Sequence, residues 1–398
     1  QLGVRKGDRV ALMLPNCPQQ VVAFYGTLRL GAVPVNTNPM YVSREMREQF
    51  EDSGCETVVL LDQFYPRLRE IHAATRVRRV IVVDVAERLP WYARLLVHVA
   101  QRRKGEAVRI PAETDTYLFR DLVRRYPPTP PGADLKPSDV ALLQYTGGTT
   151  GTPKAAMLTH RNLVSNALQA QAWFPSAAGG IYLGAIPFFH VYGLTSVLLF
   201  GIAQAAEIVV IPRPRPVDIV LEAIERFRVS LFPGVPTLYA ALNDHPRVGD
   251  YDLRSGALCV SGAAPLPREV FERFEALTGG RLVEGYGLTE TSPLTHCTPI
   301  LGERRPGSIG LPFPSTEARI VDLTSGAPVA PGEEGELEVR GPQVMLGYWG
   351  RPDETAEVFH DGWLRTGDVA RMDPDGFFYV VDRRKDMIDA SGFKVLPR

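Results

Sequence analysis

The stretch Leu143–Asn162, LQYTGGTTGTPKAAMLTHRN, has the residue types best suited to holding a polyphosphate. Thr146, Gly147, Gly148, Thr149, Thr150, Gly151 and Thr152 make a pliable run rich in hydroxyls. Glycine has no Cβ and tolerates positive φ, so backbone N–H groups there can close on phosphate oxygens. Lys154 then supplies one cation. Leu142, Leu143 and Tyr145 read as the end of a buried strand, and Thr159-His160-Arg161-Asn162 as a cap opening a helix. The run is not a Walker A loop, which needs Gly-Lys followed by Ser or Thr; here Pro153 precedes Lys154 and Ala155 follows it. A plain Gly/Thr surface turn is the competing reading. The strand in front, the hydroxyls and Pro-Lys together favour the phosphate cradle.

Three further clusters could act on the same ligand. Tyr286-Gly287-Leu288-Thr289-Glu290-Thr291 follows a short strand, and its carboxylate could hold Mg²⁺ against phosphate oxygens or be an ordinary surface acid. Gly362–Asp368, GWLRTGD, places an acid in a tight turn. A fixed carboxylate there can accept hydrogen bonds from both ribose hydroxyls of a nucleotide. Ser261-Gly262-Ala263-Ala264 is small enough for a flat ring to stack on its backbone, or for close packing alone.

YTGGTTGTPKAA resembles the phosphate-loop signature of the adenylate-forming superfamily, which holds acyl-CoA synthetases, firefly luciferase-like enzymes and peptide-synthetase adenylation domains. The resemblance runs from near Gly7 to the last residues and is strongest to bacterial long-chain fatty acid:CoA ligases. It implies ATP/AMP, Mg²⁺ and coenzyme A as cofactors. It also implies roles: Tyr286 by the adenine, Thr289 on the α-phosphate, Glu290 on the metal, Asp368 on the ribose, and Arg383 reaching the nucleotide. Gly262, Ala263, Ala264 and Gly287 would line the adenine site, and Lys385 would sit at an interdomain hinge. His190, in Phe188-Phe189-His190-Val191-Tyr192-Gly193, matches a position near the reacting carboxylate. Phe232, Gly234, Val235 and Leu238 would line an apolar acyl channel, although core packing explains them nearly as well. Lys154, Thr289, Glu290 and His190 are the expected catalytic group.

The reaction implied is in-line attack of a carboxylate on the α-phosphorus of ATP, giving acyl-adenylate and pyrophosphate, then capture by coenzyme A. No acid lies between Pro187 and Gly201, so a substrate ammonium would have no counter-charge there. That disfavours amino acids. The alternatives are an aryl or short-chain acid:CoA ligase, an acyl-AMP ligase, and a non-catalytic nucleotide- or lipid-binding relative. Relatives carry a C-terminal domain with an adenylation lysine beyond the hinge, and this chain is expected to lack it.

A net charge of −1 argues against nucleic acid as a partner. Cys17, Cys55, Cys259 and Cys297 show no CxxC pairing, as in reduced thiols of a cytoplasmic protein. No apolar run approaches the roughly 18 residues of a spanning helix. Fatty acid and coenzyme A are the expected partners; a peripheral membrane contact and a homodimer stay open.

The elements that must position these residues alternate. Arg9–Leu14 reads as a strand, Pro18–Leu30 as a helix marked by Val22, Phe24, Tyr25 and Leu28, and Ala32–Val35 as a strand. A helix at Ser43–Ser53 and strands at Thr57–Leu61 and Val80–Val83 follow. Leu89–Lys104 has Trp91, Leu95, Leu96 and Val99 on one side and basic residues elsewhere. It reads either as an interfacial helix or, preferred here, as one docked on the domain by its apolar face. Tyr126–Gly132 is a stiff proline-rich linker. Ala185–Pro187, Ile208–Ile211, Leu231–Pro233, Ala257–Val260 and Arg281–Glu284 read as strands, with a helix at Val217–Phe227. After about Pro306 the pattern turns to antiparallel strands at Ala318–Asp322, Gly335–Arg340 and Phe377–Val381. The expected fold is α/β: two parallel-type sheets layered with helices, plus a small antiparallel β-barrel subdomain. Residues 1–381 would be the adenylation domain, with 306–381 its β-rich part and 382–398 the hinge and the start of a truncated C-terminal domain.

Overall fold

The computed structural model describes residues 2–105, 107–111, 113–127, 132–146, 153–175, 178–255, 257–383, 388–390 and 393–395. The chain forms two compact units, Gln1–His160 with Pro187–His190, and Arg161–Ile186 with Val191–Arg398.

In the first unit, strands β1 (Arg9–Met13), β2 (Val33–Asn36), β3 (Thr57–Leu61), β4 (Arg79–Val83), β5 (Thr116–Leu118), β6 (Val140–Tyr145) and β7 (Ala155–Thr159) lie in the order β7-β6-β2-β1-β3-β4-β5. All neighbours are parallel except β6 and β7. Val10–Met13 and the whole of Thr57–Leu61 are buried, as continuous apolar runs in a covered parallel sheet should be. The helix Pro18–Arg29 starts with proline at its first position. Its buried stripe is Gln19, Gln20, Ala23, Phe24 and Thr27, while Val22 faces out. Three polar residues are taken inside beside Ala23 and Phe24. The helix Ser43–Ser53 is opened by the Glu45 carboxylate, which accepts from the Val42 N–H at 2.9 Å. It is closed by Gly54 at φ +61°.

The second unit carries β8 (Ile181–Gly184), β9 (Glu207–Val210), β10 (Leu231–Gly234), β11 (Leu258–Ser261), β12 (Arg281–Gly287), β13 (Leu294–Cys297) and β14 (Leu311–Pro312), ordered β14-β13-β12-β11-β10-β8-β9. The strand expected at Ala185–Pro187 instead occupies Ile181–Gly184, where Ile181–Gly184 pairs with Glu207–Val210 residue for residue. Pro187 has no N–H to offer a ladder. Leu183, Leu221, Phe232, Tyr239, Cys259 and Leu282 form part of the core beneath this sheet. β15 (Glu317–Val321), β16 (Glu334–Arg340), β18 (Phe359–His360), β19 (Trp363–Met372) and β20 (Phe378–Arg383) build a five-stranded antiparallel sheet; the short β17 is Gly347–Tyr348. The four cysteines are buried and unpaired. Among the described residues no helix is long and apolar enough to cross a membrane.

Candidate active site

In the first unit the phosphate-loop segment joins two antiparallel strands. The Thr146 N–H donates to the Lys154 carbonyl at 2.9 Å, closing a hairpin. Ala155–Thr159 pairs with Val140–Tyr145 before the helix His160–Trp173 begins. The helix opens at His160, as the Thr159-His160-Arg161-Asn162 cap led us to expect, and between it and the loop lies the strand Ala155–Thr159, which the sequence did not reveal. Gly147, Gly148, Thr149, Thr150, Gly151 and Thr152 lie outside the described residues. Beside this hairpin, buried Gln144 links two elements: its amide oxygen accepts from Asn36 Nδ2 at 2.9 Å and its Nε2 donates to the Phe189 carbonyl at 3.0 Å. Phe188 N–H donates to Asn16 Oδ1 at 2.7 Å. These amides fix the backbone that presents His190, an exposed residue whose ring pKa is directed below its ordinary value by partial loss of hydration. A largely neutral imidazole at pH 7 follows.

In the second unit, Gly234, Ser261-Gly262 and Tyr286-Gly287 end three adjacent parallel strands at their carboxyl edges. That is where open α/β sheets bind ligands. Two tyrosines explain the glycines. Tyr239 donates to the Phe232 carbonyl at 2.7 Å, and a Cβ on Gly234 would stand 2.8 Å from its ring. Tyr192 donates to the Val260 carbonyl at 2.8 Å, and a Cβ on Gly262 would stand 3.0 Å from its ring. Ala263 and Ala264 are exposed. Ala263 adopts φ +68°, a left-handed conformation that costs a Cβ residue roughly 1–2 kcal/mol.

Tyr286 and Asp368, 82 residues apart, meet directly: the phenol donates to Asp368 Oδ2 at 2.6 Å. Asp368 is 8% exposed, and its N–H donates to Thr366 Oγ1 at 3.1 Å; the tight turn expected here is instead the interior of the strand Trp363–Met372, paired on both edges, with Gly367 at φ +75°. Arg383 is opposite Asp368 in the β19–β20 ladder. The Tyr286 ring rests edgewise on His296, centroids 5.8 Å apart. Burial drives the His296 imidazole down to about 3, so it packs as a neutral ring.

Glu290 is in a short turn, Thr289–Thr291, gripped from both ends. Its carbonyl accepts from the Met345 N–H at 2.8 Å and its Oε1 from the Tyr348 phenol at 2.7 Å. Burial, then the Glu290 charge, pushes the Tyr348 phenol up and keeps it a donor. Ser292, at φ +73°, donates from Oγ to the Gln343 carbonyl at 2.8 Å. Gln343 is bonded in turn to Gln169 and Thr316. Gln144, Tyr192, Tyr348 and Gln343 carried no assignment from the sequence; the two tyrosines, each beside a glycine, gave the one signal that could have found them.

Phe232 is 1% exposed and stacks on Tyr239 at 5.1 Å, a core position. Leu238 packs partly against the same core, and Val235 is half-buried. Lys385 lies outside the described residues. Among those described, no group of three His, Cys, Asp or Glu could hold a metal by itself. One held carboxylate is still a suitable donor set for Mg²⁺, which keeps several waters and takes its other ligands from substrate phosphates.

The layered α/β units with an antiparallel sheet form the large N-terminal domain of adenylate-forming enzymes. The family model described as AMP-binding enzyme matches residues 1–349, and the chain belongs to this family. It is 44% identical over 401 residues to the long-chain-fatty-acid–CoA ligase of Bacillus subtilis, covering 100% of this chain and 71% of that protein. It matches the crystal structure of the anthranilate CoA ligase AuaEII in complex with anthranoyl-AMP at TM-score 0.86 and 28% identity, covering 100% of this chain and 72% of that one. The long-chain-fatty-acid-CoA ligase FadD1 from Archaeoglobus fulgidus matches at TM-score 0.83 and 29% identity, with 96% and 73% covered.

Proposed function

We propose that this chain binds ATP and activates the carboxylate of a long-chain fatty acid as an acyl-adenylate, releasing pyrophosphate, with the acyl group then passing to coenzyme A. The observation that carries the reading is the 44% identity, along the whole chain, to a ligase of that substrate class. The Tyr286–Asp368 pair and the gripped Glu290 supply chemistry that such a reaction needs.

In this reading Tyr286 lies against the adenine and Asp368 accepts from the ribose hydroxyls. Thr289, Lys154 and the loop Thr146–Thr152 take the phosphates. Glu290 would hold Mg²⁺, which neutralises phosphate charge when bound. The attacking carboxylate is already ionised at neutral pH, so no general base is required. Catalysis is alignment plus charge neutralisation. His190, neutral at pH 7, offers a hydrogen bond near the reacting acid without repelling Lys154. Gly234, Val235 and Leu238 border the acyl chain, with Phe232 supporting them from the core. Residues 1–381 act as the adenylation domain, 306–381 as its β-rich part and 382–398 as a hinge around Lys385.

The likeness to an anthranilate CoA ligase favours one second reading, an aryl acid substrate. Pyrophosphate release by the full-length protein carrying this sequence, with acids from acetate to palmitate and with benzoate, separates the two. Rates that rise with chain length and vanish in Glu290→Ala are expected. Preference for benzoate, or full activity in Glu290→Ala, refutes the proposal.

A further inference from the structure

We propose that the helix Trp91–Arg103 seats this protein on an anionic phospholipid bilayer. Amphipathic helices ordinarily turn their apolar face to the core, and the sequence led us to expect that here. The structure has it the other way round. Attachment to the first unit is polar, with Arg94 3.1 Å and His98 3.2 Å from the Asp84 carboxylate. No residue of the helix is buried. At 100° per residue, Trp91, Leu95 and Val99 fall on one stripe with Leu96 beside it, and this stripe faces outward. Trp91 is 78% exposed, Leu95 57% and Leu96 68%.

Charge selects the occupant. The helix contains no acidic residue, and Arg102 and Arg103 end it on the exposed side. An apolar stripe with aromatic rings at one end and guanidinium groups at the other suits the headgroup boundary of anionic lipid. The inference concerns where the chain sits and does not depend on the acyl chemistry.

The test is co-sedimentation of the full-length protein with vesicles of phosphatidylcholine alone or mixed with phosphatidylglycerol, without ATP or acid. Binding to the anionic vesicles, roughly tenfold or more above neutral ones and weakened by about 0.5 M salt, is expected. Brominated lipid should quench tryptophan emission in the wild type and not in Trp91→Phe. Leu95→Glu/Leu96→Glu and Arg102→Glu/Arg103→Glu should each lower binding roughly tenfold. Their melting temperature should hold, because these side chains are exposed. Equal binding to both vesicle types, binding unchanged in both variants, or no binding at all would overturn the proposal. So would a concentration-dependent dimer that Leu95→Glu/Leu96→Glu abolishes while vesicles stay unbound.

Discussion

Replacing Tyr348 by phenylalanine isolates the grip on Glu290. The phenol donates to Glu290 Oε1 at 2.7 Å, and the ring is 7% exposed, so the substitution removes a hydroxyl and leaves the packing. The Met345 N–H still holds the Glu290 carbonyl, so the turn stays in place while the carboxylate gains rotational freedom. A hydrogen bond to a charged acceptor is worth about 1.5–3 kcal/mol. Glu290 is half-buried, and a water can replace part of the lost bond. The lower end of that range therefore applies, about tenfold in an equilibrium constant. The assay is pyrophosphate release against Mg²⁺ concentration at saturating ATP and acid. The Mg²⁺ giving half-maximal rate should rise about tenfold, with the rate at saturating Mg²⁺ largely restored and the KM for the acid unmoved. An unchanged Mg²⁺ dependence would refute the assignment of Tyr348 as the residue that positions Glu290. A melting temperature that falls far enough to unfold the enzyme at the assay temperature would refute the premise that packing is spared.

Two stability predictions accompany it. Gly234→Ala drives a Cβ to 2.8 Å from the fully buried Tyr239 ring, which the bond to the Phe232 carbonyl prevents from swinging away. Overpacking of this kind costs about 1–3 kcal/mol. Thermal unfolding should show the loss, and adding Tyr239→Phe should recover part of it by freeing the ring. Glu284 is pushed up to about 7 by burial, partly offset by the Leu266 N–H. Its folded pKa exceeds the unfolded value near 4.5, so the native state holds the proton longer and stability falls as pH rises from about 4.5 to about 7. Glu284→Gln should remove that slope. Urea unfolding should find the variant more stable than wild type at pH 8, by up to about 3 kcal/mol, with the gap closing near pH 4.5; a gap independent of pH would contradict the argument.

The sequence by itself determined what neighbouring residues dictate. VALM and TVVLL are buried strands, Pro18 opens a helix and Gly54 closes one, because apolar runs and special φ values act over a few residues. YGLTE was legible as the turn that ends a strand for the same reason, whereas TGD, which reads as a tight turn, lies inside the strand Trp363–Met372; the roles expected of these runs came from the resemblance. Tertiary structure decided what depends on distant partners. Ala155–Thr159 carried no assignment in the sequence and is a strand because Val140–Tyr145 offers an edge. Gln19 and Gln20 went inside while Val22 stayed out. Tyr348 reached Glu290 across 58 residues and Tyr286 reached Asp368 across 82. Gly234 and Gly262 looked like room for a ligand, and the rings of Tyr239 and Tyr192 give them a packing reason as well. The outward turn of the helix Trp91–Arg103 was also invisible, since periodicity defines two faces and leaves the choice between them to the contacts that Arg94 and His98 make with the Asp84 carboxylate. Local pattern sets what an element is; which of its faces meets a partner depends on groups brought close only by the folded chain.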